Sequence, residues 1–544
     1  MTLLALKEDR PTPSAVYNWR VYFSAAVASF ASCMIGYDSA FIGTTISLTS
    51  FKHEFGLDTL STSELNLISA NIVSVYQAGA FFGSLFAYVS SYFLGRRKTL
   101  FLNCSVFILG AGLMLGANGN RGLGLIYGGR VLAGIGVGGA SNMVPIYISE
   151  LAPPAVRGRL VGIYELGWQI GGLVGFWINY GVSTTLPASH EQWIIPFAVQ
   201  LIPAGLLLLG AVWMKESPRW LFSMGRREEA LTNLCWMRNL NASDIYIVEE
   251  VSYIDEDLER QRREIGAGFW KPFSALSQKK VQWRFFLGSM LFLWQNGSGI
   301  NAINYYSPTI FKSIGVTGTN ASLLTTGVFG CVKTVFTFLW LLYLIDHLGR
   351  RNLLMYGALG GSLCMWYLGA YIKIADPTNH PSASGQLSSG GISAMFFFYL
   401  WTAFYTPSWN GTPWVINSEM FDQNTRSLGQ ASAAASNWFW NFIISRFTPQ
   451  MFEAMGYGVY MFFASLMILS CIFVFFLVPE TKSIPLEAMD RLFEIRPVYK
   501  ANQIIMDELH LQDEEFRRAA GDLKLSDDSK PGVSQVEGDM VEKV

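Results

Sequence analysis

The sequence predicts an all-α membrane protein: twelve transmembrane helices in two pseudo-symmetric six-helix bundles. Three observations carry that expectation. Hydrophobic residues fill 51% of the 544 positions and charged residues only 15%, a mixture suited to lipid rather than to a water-soluble core. Apolar stretches long enough to cross ~30 Å of hydrocarbon recur along the whole chain. Charged motifs of the first half return in the second.

The first six apolar segments fall near residues 21–47, 69–93, 99–118, 123–149, 159–183 and 193–214. Six more follow near 284–306, 322–345, 353–374, 393–418, 428–447 and 457–478. The expected organisation is an N-terminal segment (1–19), a first bundle (20–215), a polar helical linker (216–283), a second bundle (284–479) and a tail (480–544). Arg96, Arg97, Lys98, the basic linker, Arg350 and Arg351 all fall on one side. Positive charge marks the cytosolic side, so both termini are expected there. The first nineteen residues hold no apolar run and do not read as a signal peptide. The plasma membrane is the default location for such a multi-pass chain. The tail is acidic on balance and expected to be disordered past Leu525.

Several functions are disfavoured. A net charge of -1 gives no basic field for nucleic acid. The six cysteines stand singly and read as small core residues, not as disulfides or metal ligands. His53, His190, His347, His380 and His510 fall in loops or at helix ends, with no nucleophile, metal spacing or phosphate loop beside them. No enzyme, metal or cofactor is expected. Gly134, Gly136, Gly138 and Gly139 lie in an apolar stretch, where small residues let helices pack closely.

Gly95-Arg96-Arg97 reappears as Gly349-Arg350-Arg351; Glu150 with Arg157 reappears as Glu419 with Arg426; Glu216 has its counterpart in Glu480. Matched pairs of this kind indicate duplicated halves with a site between them near the midplane. Arg96, Glu150, Arg157, Glu216, Asp346, Arg350, Glu419, Arg426 and Glu480 are read as a cytosolic gate. Anchoring by positive charge would explain the arginines, but not the matched glutamates.

Gly95-Arg96-Arg97-Lys98, Pro145-Ile146-Tyr147-Ile148-Ser149-Glu150, Glu216-Ser217-Pro218-Arg219-Trp220 and Pro479-Glu480-Thr481-Lys482 resemble motifs of the sugar porter family of the major facilitator superfamily. The resemblance runs from the first helix to about residue 482, and the stretches YNWRVY and FASCMIGYDSAFIGTT resemble the family's fungal quinate-carrying branch. It implies a two-bundle secondary active transporter that imports a polyhydroxylated solute with protons, as a monomeric transport unit in the lipid bilayer.

Asp38 and Arg130 each lie about seven residues from the outer end of their helices, hence ~10 Å deep, and are able to pair. The resemblance implies that Asp38 accepts the coupled proton and Arg130 is its partner; a static buried ion pair is the alternative. Lys333 sits near the middle of the eighth apolar segment, too deep to snorkel, and a buried ammonium requires a counter-charge. The sugar-carrying relatives commonly have a neutral Asn there, so Lys333 points to a substrate carboxylate, with a salt bridge to Glu165 as the alternative. Quinate, the substrate named by the resemblance, supplies such a carboxylate. Gln295, Asn296, Asn301 and Asn437 offer amides that donate to and accept from hydroxyl groups. Trp414 and Trp438 offer faces for ring carbons. Glu165 stands where the family usually has Gln and is read either as a substrate or proton group or as an interfacial acid, with Gln169 one turn away.

Two departures from the family pattern stand out. Tyr92 replaces an acid expected before Gly95, and Asn410-Gly411 interrupts the usual Gly-Pro, which puts a flexing tenth helix in doubt. A neutral hexose or polyol carrier, proton-coupled or facilitative, and a non-transporting nutrient sensor remain as alternative functions. For a carrier, deletion of residues 500–544 is expected to leave uptake intact.

Overall fold

The computed structural model describes residues 12–264, 266, 268–380, 387–421, 425–482, 484, 489–508 and 511. The first half consists of α1 (Trp19–Ile46), α2 (Thr62–Leu94), α3 (Arg96–Leu115), α4 (Gly124–Leu151), α5 (Pro154–Thr185) and α6, which is broken at Gln200 into His190–Val199 and Leu201–Ala211. A linker with helices Pro218–Ser223, Arg227–Arg238 and Ile245–Glu264 leads to the second half. There α7a (Lys279–Gly297) and α7b (Ile300–Ile314) form one crossing, and α8 (Thr319–Leu339) runs on through a wide turn to Leu348. The remaining crossings are α9 (Arg350–Ala375), α10a (Ser389–Tyr405) with α10b (Thr412–Met420), α11 (Arg426–Met455) and α12 (Gly458–Leu477). Among the described residues these make the twelve crossings expected from the sequence.

Eight of the twelve are apolar and long enough to cross a membrane on composition alone. The other four are α5, α7, α10 and α11. Two of these are broken near their middles, and together they carry Glu165, Gln169, Gln295, Asn296, Asn410, Asn437 and Asn441. Polar side chains and irregular backbone are tolerated at membrane depth only where protein or a wet cavity surrounds them. The helices that read least like membrane spans are therefore the ones expected at the seam.

The packing places α5, α7b and α11 at the seam, together with α1, α2 and α8. Within the first half α1 lies along α5, and α2 and α3 along α4; within the second, α7a lies along α11 and α9 along α12. The halves meet where α2 packs on α11 and α5 on α8, two contacts exchanged by the pseudo-two-fold, with α1 against α7b. Glycine permits the close approach inside the first half: a Cβ on Gly134 or Gly138 would stand 2.1 or 2.0 Å from the carbonyl oxygens of Tyr76 and Ala80. The glycine run of α4 is thus a packing surface.

The tenth helix is broken: Thr406–Asn410 forms a wide π turn between α10a and α10b. Pro407 lies within the break and Pro413 just after it, and each removes a backbone donor, so the helix breaks here without the Gly-Pro pair. The tail does more than expected. Met489, Leu492, Phe493, Ala501 and Ile505 are buried with Leu287 of α7a and with Met420 and Phe421 at the end of α10b. Asn502 donates to the carbonyls of Glu480 and Lys482, each at 3.0 Å. Deletion from residue 500 therefore cuts into the second bundle's packing. The expectation for residues past Leu525 lies outside the described residues.

Candidate functional site

A small cavity opens at the seam between the halves, lined by Ser39 of α1, Trp168, Gln169 and Phe176 of α5, Asn304 of α7b and Lys333 of α8. Of the predicted substrate residues, Gln169 and Lys333 line it; Asn304 and Trp168 are additions. Asn304 was legible as the residue one turn after Asn301 on the same helix face.

Lys333 is buried, and its ammonium donates to Asn304 Oδ1 at 3.5 Å. Its charge interacts with that of Glu165, but no carboxylate stands in ion-pair contact with it among the described residues. Glu165 is occupied elsewhere. Its Oε1 accepts from Gln169 Nε2 at 2.9 Å and from Asn410 Nδ2, across the seam, at 2.5 Å. The salt-bridge alternative to a substrate counter-charge is not formed in this conformation.

Asp38 and Arg130 meet, as their equal depths predict. Arg130 Nη1 donates to Asp38 Oδ1 at 2.5 Å, and neither side chain has exposed surface. Arg130 Nε also donates to the Ile72 carbonyl at 3.1 Å, and the guanidinium lies 4.5 Å from the Tyr76 ring centre. The pair sits inside the first half, one residue along the chain from the cavity-lining Ser39.

The remaining predicted amides bond one another or the backbone. Gln295 donates to the carbonyls of Trp409 and Asn410, at 2.8 and 2.7 Å, where the wide turn leaves acceptors exposed. Asn301 donates to Asn296, which donates to Asn437 Oδ1 at 3.1 Å, so the three form a ladder from α7 to α11. Trp438 donates to Ser141 Oγ at 3.0 Å across the seam and stacks on Trp168 at 6.3 Å. Trp414 packs edge-on against Phe292 at 4.6 Å. Among these, Trp438 approaches the cavity through its contact with Trp168.

At the helix ends the charged motifs gather into two matching clusters, one in each half. Arg96 pairs with Glu150 at 2.8 Å, whose other oxygen accepts from Ser217 Oγ at 2.5 Å. Glu216 accepts from the backbone amides of Arg96 and Arg97 at 2.8 and 3.1 Å. In the second half Arg350 pairs with Glu419 at 3.1 Å, Thr481 Oγ1 donates to Glu419 at 2.7 Å, and Glu480 accepts from the amides of Arg350 and Arg351 at 2.9 and 3.0 Å. A carboxylate at a helix N-terminus satisfies free amides and matches the helix dipole. Ser217 and Thr481 were not predicted as members; their place directly after Glu216 and Glu480 was the available signal. Arg426 begins α11, and the side chains of Arg157 and Asp346 lie outside the described residues.

Two pseudo-symmetric bundles, duplicated charge clusters and a cavity at the seam define a transporter of the major facilitator type rather than an enzyme. The chain belongs to the family described as Sugar (and other) transporter, whose sequence model matches residues 24–493. It is 72% identical over 538 residues to the quinate permease of Neurospora terricola, covering 99% of each chain. It is 71% identical over the same length to the MFS-type transporter qa-x of Neurospora crassa, with the same coverage. Among solved structures it is similar to the proton:xylose symporter XylE bound to 6-bromo-6-deoxy-D-glucose, with a TM-score of 0.71 and 29% identity over 87% of this chain and 99% of that one.

Proposed function

We propose that this chain imports quinate, a hydroxylated ring carboxylate, together with protons by alternating access. The observation that carries the proposal is Lys333: a buried ammonium in the seam cavity that meets an amide oxygen and, among the described residues, no carboxylate. Leaving such a charge unpaired in a low-dielectric site is costly, and a substrate anion compensates it. Relatives named quinate permease at about 70% identity support the choice of acid. The likeness to a proton:xylose symporter supports proton coupling.

In this reading Asp38 takes the coupled proton beside Arg130. Protonation weakens the buried pair and lowers the cost of rearranging the first half. Glu165 and Gln169 border the substrate, and Gln295, Asn296, Asn301, Asn437, Trp414 and Trp438 reach its hydroxyls and ring when the halves rock and the amide ladder exchanges partners. The halves 20–215 and 284–479 move about the linker 216–283. The inner clusters at Arg96, Glu150, Glu216, Arg350, Glu419 and Glu480, with Arg157, Asp346 and Arg426, act as the gate. The protein resides in the plasma membrane as a monomeric transport unit, with both termini, 1–19 and 480–544, in the cytosol.

A neutral hexose or polyol carrier is the rival reading, favoured by the amides and by the likeness to a sugar symporter. Labelled quinate uptake into proteoliposomes with an inward proton gradient decides between them. Saturable uptake that collapses with a protonophore and is not competed by glucose supports the proposal; glucose uptake without quinate uptake overturns it.

A further inference from the structure

We propose that Asn410 is a positioning residue that sets substrate specificity: by holding Glu165, it keeps that acid from neutralising Lys333 and so leaves the ammonium for the substrate anion. The inference rests on the reading of Lys333 given above. Asn410 closes the wide turn between α10a and α10b. Its carbonyl is fixed by Gln295 at 2.7 Å, and its amide reaches across the seam to Glu165 Oε1 at 2.5 Å. The same oxygen accepts from Gln169 at 2.9 Å, so the carboxylate is held by a donor from each half.

Glu165 is the acid whose charge acts on Lys333 across the seam, where α5 packs on α8. Opposite charges in a poorly solvated site attract strongly, and charge-assisted hydrogen bonds to one partner compete with that attraction. Without the Asn410 donor the carboxylate is held by Gln169 alone and turns toward Lys333 more readily. An incoming anion must then displace an internal partner, and affinity falls, whereas a neutral solute loses little. The break in α10 thus carries a side chain that decides which charges stay available in the cavity.

The test is a mutant cycle read as KM for quinate. Asn410→Ala is expected to raise KM about tenfold, the equivalent of one lost charge-assisted hydrogen bond, with kcat changed less. Asn410→Gln, which keeps an amide donor, is expected to fall between Ala and wild type. Glu165→Gln removes the competing charge, so adding Asn410→Ala to it should raise KM less than about twofold further. Equal penalties for Asn410→Ala in both backgrounds would overturn the inference and make the residue a support of the α10 turn. Wild-type protein is measured first: saturable quinate uptake there means that a failed cycle counts against Asn410 alone, whereas its absence contradicts the functional reading as well.

Discussion

The carboxylate of Asp38 and the guanidinium of Arg130 stand 2.5 Å apart with no exposed surface on either side chain. One belongs to α1 and the other to α4, so the pair ties together two helices of the same half. Replacing Asp38 by Asn removes the titrating group while keeping the volume. Asp38→Asn is expected to abolish accumulation of substrate above its outside concentration and to flatten the dependence of uptake on outside pH. Exchange of internal for external substrate at equal concentrations should persist. Counterflow in proteoliposomes measures both; gradient-driven accumulation by the variant would show that the proton binds elsewhere.

Removal of the other partner should act on stability. Arg130→Met leaves a buried carboxylate without its counter-charge, a change that costs about 3–5 kcal/mol in buried pairs. Thermal unfolding in detergent should shift strongly downward. The double variant Asp38→Asn with Arg130→Met should recover part of that loss, because no buried charge is left alone.

The inner clusters make a backbone prediction. Gly349 has a φ of 83°, and a Cβ there would lie 2.5 Å from Glu480 Oε2, the carboxylate that caps α9. Gly95 repeats this with a φ of 88° and Glu216 Oε2 at 2.6 Å. Alanine at either position meets a left-handed backbone and a collision with the cap. A loss of about 1–2 kcal/mol or more is expected for each, beginning with the backbone cost of φ > 0. Melting temperatures of Gly95→Ala and Gly349→Ala, read side by side, check that the two sites behave alike.

The tail is tested by two truncations. A chain ending at residue 511 keeps Ala501, Asn502 and Ile505, and is expected to transport and melt as wild type does. A chain ending at residue 499 loses the buried Ile505 and both hydrogen bonds of Asn502 beside Glu480. Burial of one large aliphatic side chain contributes about 1.5–3 kcal/mol, so this shorter chain should show a lower melting temperature and less protein in the membrane. Equal behaviour of the two would mean that the packed segment does not support the second bundle.

Much of this architecture was legible because lipid imposes simple rules. Span length, loop charge and the duplicated motifs predict twelve crossings, and counting residues from helix ends places Asp38 and Arg130 at one depth. What could not be read was which polar groups meet across the seam. Asn410 and Glu165 are 245 residues apart in the chain, and only the docking of α10 near α5 brings them together. Gln295, Asn296 and Asn437 read as polar side chains within apolar segments, but their hydrogen bonds to one another and to the α10 turn depend on breaks whose form no motif encodes. Asn410 stood out only as a departure from a family pattern. Its role follows from the Glu165 carboxylate it faces.

The central claim is that the ammonium of Lys333 meets the carboxylate of the substrate, and the most direct measurement is quinate uptake by Lys333→Asn beside uptake of a neutral ring polyol such as inositol. The account predicts that the variant reaches the membrane at the wild-type level and loses quinate uptake by roughly a hundredfold, as expected for about 3 kcal/mol of lost charge pairing. Uptake of the neutral solute should stay level or rise. Undiminished quinate uptake by Lys333→Asn would contradict the account and leave Lys333 as the internal partner of Glu165.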